Sequence, residues 1–163
     1  MPLPAHVTLT GVNQGKIEGS CNLKGDREGT ILVQAFAHRV FMPSDIQTGA
    51  STGKRIHEPL VFVKEFDKSS PKLYQALVSG EHLTEFEVKW YRMNPKGSEE
   101  HYFTTKLEDA VIVSIKPSML NCLDPANGPF THMEEISLRY RKIRWVWEPD
   151  GIESEDDWQV PRS

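Results

Sequence analysis

SSPKLYQALVSGE, running from Ser69 to Glu81, is the stretch on which the fold turns. Ser69 or Ser70 supplies a hydroxyl able to accept from the free N–H groups of a first helical turn. Pro71 suits the first helical position, where its missing N–H costs nothing. Gly80 suits the position just past the end, where φ often turns positive. Between them Leu73, Tyr74, Leu77 and Val78 recur at helical spacing and make one apolar packing stripe. Only about two to three turns fit, and so short a helix is marginal alone in water. It must pack on something, and the chain on both sides reads as strand. The expected fold is mainly β with one short helix packed at its side.

Downstream, Leu83 to Met93 alternates, with Phe86, Val88 and Trp90 opposed to Glu85, Glu87 and Lys89. Asn94-Pro95-Lys96-Gly97 matches a type I turn. Glu99 to Lys116 returns with Phe103, Leu107, Val111, Val113 and Ile115 in phase, a run long enough to require a bend or bulge. Pro117 to Phe130 is a loop. In Met133 to Trp147 the apolar phase flips, from Ile136, Leu138 and Tyr140 to Ile143, Trp145 and Trp147; a one-residue bulge near Arg141 or Lys142 would reconcile the halves. Upstream, Ile56 to Phe66 carries Leu60, Phe62 and Phe66 in phase. Thr30 to Phe41 sets Ile31, Val33 and Ala35 against Leu32, Phe36 and Val40, apolar on both faces and therefore central. His6 to Thr10 and Lys16 to Cys21 read as short strands, the second followed by a loop through Gly25 and Gly29. About eight strands result, some long and bent. A closed or nearly closed barrel hides their edges; pairing with copies of the same chain is the other solution.

At 163 residues the chain reads as a single domain, 1–163, with a loose acidic tail from about 148. The net charge of −4, from 19 Lys+Arg against 23 Asp+Glu, gives no basic footprint for nucleic acid. The N-terminus MPLPAHVTLTG lacks a basic stretch followed by an apolar run, so no secretory signal is expected, and no run approaches a membrane span. The 38% apolar content leaves room for a wet wall. Cys21 and Cys122 read as two free thiols. In the tail, Asp156-Asp157 reads as solvated and Trp158 as a side chain that docks back on the body.

Six histidines raise the question of a metal or general base. His57-Glu58, Glu100-His101 and His132 with Glu135 are the closest pairings, and none has zinc-motif spacing; His38 and His101, on strands, read as half-exposed fillers. There is no G-x-S-x-G and no P-loop. Asp124 and Glu134-Glu135 have no identifiable partner. Trp90, Trp145 and Trp147 read either as a ligand-stacking platform or as core and interface. No catalytic residue, cofactor or metal is expected. The competing readings are an effector hydrolase built on Glu100 and His101, and a monomeric ligand-binding barrel.

Met42 to Arg55, MPSDIQTGASTGKR, is the remaining segment. Pro43, Gly49 and Gly53 resist regular structure, Asp45, Gln47, Thr48, Ser51 and Thr52 are polar, and only Met42, Ile46 and Ala50 have anything to bury. Fourteen residues without structure are usually functional or disordered. The run GKRIHEPLVFVKEFDKSSPKLYQA (53–76), the hairpin KWYRMNPKGSEEHYFTTKLEDAVIVSIKP (89–117) and the ending YRKIRWVWEPDG (140–151) resemble the haemolysin-coregulated protein (Hcp) family, tube proteins of the bacterial type VI secretion system. The resemblance implies a tail-tube-like β-barrel of two sheets. It implies homo-hexameric rings stacked into a tube inside a contractile sheath, capped by a spike protein, assembled in the cytoplasm and exported without a signal peptide, with small effectors in the lumen. It also implies that the 42–55 loop reaches the neighbouring ring, which makes Pro43, Asp45, Ile46, Gln47, Thr48, Ser51, Thr52 and Lys54 the candidate stacking residues. The plain alternative is a floppy surface hairpin.

Overall fold

Alternation through Leu83–Met93 produces the longest strand of the molecule, and the sheet is built on its two edges. The computed structural model describes residues 1–159. In chain order the elements are β1 (Ala5–Gly11), β2 (Gly15–Ile17), β3 (Ile31–Val33), β4 (Ala35–Ala37), β5 (Val40–Phe41), β6 (Ile56–His57), β7 (Leu60–Glu65), α1 (Ser70–Ser79), β8 (His82–Met93), β9 (Glu99–Glu108), β10 (Ala110–Ser118), β11 (Met133–Arg139), β12 (Lys142–Trp147) and β13 (Ile152–Asp157). All ladders are antiparallel. One edge of β8 pairs with β1, from His6↔Lys89 to Leu9↔Phe86. The other edge is shared: β9 takes Phe86 to Met93, and β10 takes Leu83 and His82.

That sharing explains two departures from the sequence reading. The run 99–116 is not one bent strand. It breaks at Asp109, a non-glycine residue with φ 52°, where the chain turns from β9 into β10. The phase flip near Arg141 is likewise a corner and not a one-residue bulge. β11 pairs with β10 and β7, whereas β12 pairs with β9 and β13. The two corners touch, the Arg141 N–H donating to the Glu108 carbonyl at 3.2 Å. Bulges occur instead within β10, between Ile112 and Ser114, and opposite Trp90/Tyr91 in β8–β9.

The Thr30–Phe41 run splits for the same kind of reason. β3 pairs with β1, β4 with β7, and the Gln34 N–H between them donates to the Val63 carbonyl at 2.9 Å. Ala35 therefore faces out while Ile31 and Val33 are buried. Among the described residues the hydrogen-bonded path is one curled eleven-stranded sheet, continuous because β8 pairs into both halves; β5 and β6 form a separate two-stranded ribbon. The second strand is shorter than read, ending at Ile17, and the tail is not loose where described: β13 pairs with β12 along Lys142↔Asp157 to Trp147↔Ile152. The last four residues of that tail lie outside the described residues.

The core is drawn from Val7, Leu9, Ile31, Leu60, Phe62, Phe86, Leu107, Ile136 and Ile143 among others, and α1 lays Leu73 and Ala76 against it over β10. Tyr74 and Leu77 are half-buried, but Val78 is 75% exposed and does not belong to the packing stripe. At 100° per residue Val78 lies about 140° round the helix from Leu73, and the small Ala76 takes the contact instead. Gly80 ends the helix at φ 67°, and the Glu81 N–H closes onto the Ala76 carbonyl at 2.9 Å. The start differs from expectation. Ser69 makes no side-chain cap, and Pro71 is the second helical residue. Both hydroxyls are committed elsewhere: Ser69 to Asp67, Ser70 to Glu134 at 2.7 Å and to the Lys64 ammonium at 3.0 Å. Lys64, directly across the ladder from Glu134, points inward with its side chain fully buried and reaches Glu134 at 2.5 Å and Asp67 at 3.0 Å. Phe66, expected in the same buried phase, is half-exposed instead.

Candidate functional site

The segment between β5 and β6 is an ordered hairpin arm, not an unstructured loop. Its local chemistry explains the order. Asp45 Oδ1 accepts from the Gln47 N–H at 2.7 Å, a side-chain turn, and the Gly49 N–H reaches the Asp45 carbonyl at 2.7 Å with Gly49 at φ 72°. The Asp45 N–H donates to the Ala50 carbonyl, the Thr52 N–H to the Pro43 carbonyl, and Ser44 and Ser51 form a bridge. Thr48 Oγ1 accepts from the Ala50 N–H, and Ser51 Oγ donates to the Gly53 carbonyl.

The eight candidate stacking residues thus divide. Pro43, Asp45, Thr48, Ser51 and Thr52 hold the arm's own shape through side chain or backbone, and Gln47 does so through its N–H alone. The side chains of Ile46, Gln47 and Lys54 are left exposed, and Ile46 is 99% exposed at the tip. Met42 and Ala50, the other apolar groups, are exposed as well. The arm buries none of its apolar side chains against its own body.

What holds the arm is its root. The His57 ring bonds through Nδ1 to the Tyr140 hydroxyl at 2.6 Å and through Nε2 to Asp156 Oδ2 at 2.7 Å. His38 Nε2 meets the same hydroxyl at 2.7 Å. Arg55 Nε donates to Asp156 at 2.5 Å and its Nη2 to the Asp157 carbonyl at 2.9 Å. One buried polar chain therefore ties both arms of the ribbon, the β11–β12 corner and β13 together. Trp158 does dock back, its indole N–H donating to the Tyr140 carbonyl. Burial pushes the Asp156 carboxyl up, but the Arg55 and His57 hydrogen bonds overcome this and hold it at about 2. Burial, with His57 nearby, lowers His38, and burial together with the Asp156 charge raises the Tyr140 phenol. The reading of Asp156-Asp157 as solvated is thus overturned: Asp156 is folded back under the arm, with its side chain only 14% exposed. No local signal marks this, since His57 and Asp156 are 99 residues apart.

The other pairings are not brought together. Glu100 bonds Arg92 at 2.7 Å while His101 shares a 2.7 Å bond with Thr104, as adjacent strand residues on opposite faces must. His132 lies against the Phe66 ring, and Glu134 is taken by Lys64. Trp90 and Trp145 pack against the core, whereas Trp147 sits with Tyr102 and the Arg92 guanidinium, so the three tryptophans form no single platform. Both cysteines are free thiols. Among the described residues no three His, Cys, Asp or Glu side chains gather as metal ligands would, and no helix is long and apolar enough to cross a membrane.

Comparison with known proteins bears on this arrangement. Residues 7–147 match the family described as "Type VI secretion system effector, Hcp". The chain is 46% identical to the "Major exported protein" of Pseudomonas aeruginosa PAO1, covering 99% of this chain and 98% of that one. Among solved structures it resembles the Hcp1 protein of the E. coli EAEC 042 pathovar, at 39% identity and TM-score 0.84, covering 96% of this chain and 99% of that one. It also resembles the secreted protein Hcp3 of Pseudomonas aeruginosa, at 39% identity and TM-score 0.78, covering 95% and 99% respectively.

Proposed function

The chain belongs to the Hcp family of type VI secretion system proteins, and from that premise we propose that it is the structural subunit of the system's inner tube. In this reading six copies close into a ring, rings stack into a tube inside the contractile sheath and beneath the spike, and small effectors ride in the lumen. Rings are assembled in the bacterial cytoplasm and exported without a signal peptide, and the two halves of the curled sheet act as the two sheets of a tube-protein barrel. The protein carries no catalysis of its own.

The observation that carries this reading is the arm. It is internally hydrogen-bonded, fastened at its root by a buried polar chain, and presents Ile46 with nothing of its own chain to cover it. A preformed projection with an apolar tip suits docking on another surface at low ordering cost. Repetition of one contact between identical subunits gives closed rings or open stacks according to its geometry. We assign the arm to the contact between rings.

Size-exclusion chromatography with light scattering should show a ring of about six subunits, and electron microscopy of concentrated protein should show tubes. Replacing Asp45 to Gly53 by a short Gly-Ser turn should leave the ring and abolish tubes and secretion. A strictly monomeric protein at micromolar concentration refutes the tube reading and favours a ligand-binding barrel. Normal tubes from the shortened protein refute the stacking role, and loss of the ring itself moves the arm into the intra-ring interface.

A further inference from the structure

The arm's root contains two imidazoles on one hydroxyl, an arrangement that nothing in the stacking role requires. Its proton count follows from the geometry. Asp156 is ionised and only accepts, so His57 Nε2 carries a hydrogen and donates to it. In neutral His57 the other nitrogen, Nδ1, is then bare and accepts the Tyr140 O–H. The Tyr140 oxygen in turn accepts from His38 Nε2–H. Tyr140, His57 and Asp156 are each satisfied, with their hydrogens pointing the same way, while the second nitrogen of His38 lies against the Glu58 backbone.

One added proton is accommodated. It enters at His57 Nδ1, where the imidazolium faces the Asp156 carboxylate. The Tyr140 hydroxyl turns round to donate to His38, and half-exposed His38 moves its own proton to Nδ1 through solvent. A second proton is not accommodated. Both imidazoles then carry N–H toward one phenolic oxygen, whose own hydrogen has no acceptor, and two like charges share a buried site. Of the two rings, His57 is held by Asp156, so His38 is the one that leaves.

We propose that this root is a proton latch, which tolerates one proton and opens on the second by expelling His38 and freeing the Arg39–Phe41 side of the arm. The charged groups around it fit that order. His57 faces Asp156 and Arg55 from the tail and the arm, with Arg139 of β11 lining the same cleft. His38 faces His57 and Glu58, and Arg39 reaches Glu58 at 3.6 Å. Asp157 is occupied by Arg141. Burial and His57 hold His38 below its ordinary value, so the folded state binds fewer protons there than the unfolded chain. The latch is therefore closed at neutral pH and weakens as pH falls below about 6.5. The His57–Asp156 contact holds whether or not the ring is charged, so β13 stays docked while the His38 side loosens. The device acts on the arm whatever surface the arm meets.

Hydrogen–deuterium exchange of the full chain between pH 8 and pH 5, corrected for the intrinsic pH dependence of exchange, tests this. Protection at Phe41, paired with Ile56, and at Glu58, whose N–H donates to the Arg39 carbonyl, should be flat and then fall, by at most about tenfold per pH unit, the slope of one proton. Protection in β13 should not fall with it. His38→Gln retains a donor to Tyr140 but cannot gain a charge, so it should stay protected throughout. A flat parent profile, or an acid step in His38→Gln equal to the parent's, overturns the latch. If His38→Gln is loose at every pH, Tyr140→Phe decides. Loss of protection already at pH 8 with no acid step supports the shared hydroxyl, and a parental acid step without it refutes the mechanism.

Discussion

Lys64→Met tests how α1 is fixed to the sheet. Methionine keeps the apolar stem and removes only the ammonium. That ammonium is fully buried and has four acceptors in reach: Glu134 at 2.5 Å, the Glu65 carbonyl at 2.9 Å, and Asp67 and Ser70 at 3.0 Å. Its loss leaves Glu134, 1% exposed, with the Ser70 hydroxyl on Oε1 and no protein partner on Oε2. Stranding one member of a buried pair costs about 3–5 kcal/mol. With a urea slope near 2 kcal/mol/M the unfolding midpoint should drop by about 2 M, measured at one fixed subunit concentration because assembly adds its own stabilisation. Two further outcomes separate a stranded charge from lost packing. The double variant Lys64→Met/Glu134→Leu should be more stable than the single one, since an apolar pair of similar volume replaces a buried ion pair at little cost. The single variant should also be less impaired at pH 5 than at pH 8, because protonation relieves an uncompensated carboxylate. A single-variant loss under about 1 kcal/mol, equal at both pH values, would refute the reasoning and mean that water reaches Glu134.

Leu73→Ala should cost about 2–5 kcal/mol, since the side chain is fully buried, and exposed Val78→Ala should shift the melting temperature within error; equal effects would put the helix face elsewhere. Gly19→Ala would bring its Cβ to 2.4 Å from the Thr30 carbonyl oxygen and 2.7 Å from Ile31 Cα; both are backbone, so the β2–β3 connection must shift, at about 1–3 kcal/mol by thermal melting. Asp156 titrates near 2 when folded and near 3.9 when unfolded, so it contributes stability above about pH 4 that is lost as pH falls toward 2. Asp156→Asn should flatten that limb of the stability–pH curve, and an unchanged slope would place the carboxylate in free solvent.

The break at Asp109 and the corner at Tyr140–Arg141 also explain why long apolar runs mislead about strand count here. Apolar phase continues or flips across a corner much as it does across a bulge, because both add or redirect one residue in a period-2 pattern. The two differ only in which neighbour each half finds, and Glu108 and Arg141 find each other across the sheet.

What the sequence determined by itself is local in origin. The helix between Pro71 and Gly80, the alternation of β8, and the Asn94–Gly97 turn follow from φ preferences and periodicity within a few residues. In that turn Asn94 Oδ1 accepts from the Lys96 and Ser98 N–H groups at 3.0 Å, and Gly97 takes φ 83°. The resemblance to the Hcp family was legible for the same reason, as contiguous runs. The candidate arm was legible as a segment, but not as an ordered hairpin whose polar side chains are spent on its own turns. Tertiary structure alone decided that Lys64 points inward to Glu134, that Val78 points outward, and that Asp156 returns to meet His57 and the Tyr140 corner. Each of those is a meeting of polar groups or surfaces distant in the chain. Burial makes such groups pair, but which partner arrives is set by the path of the sheet, and no short window of residues records that path.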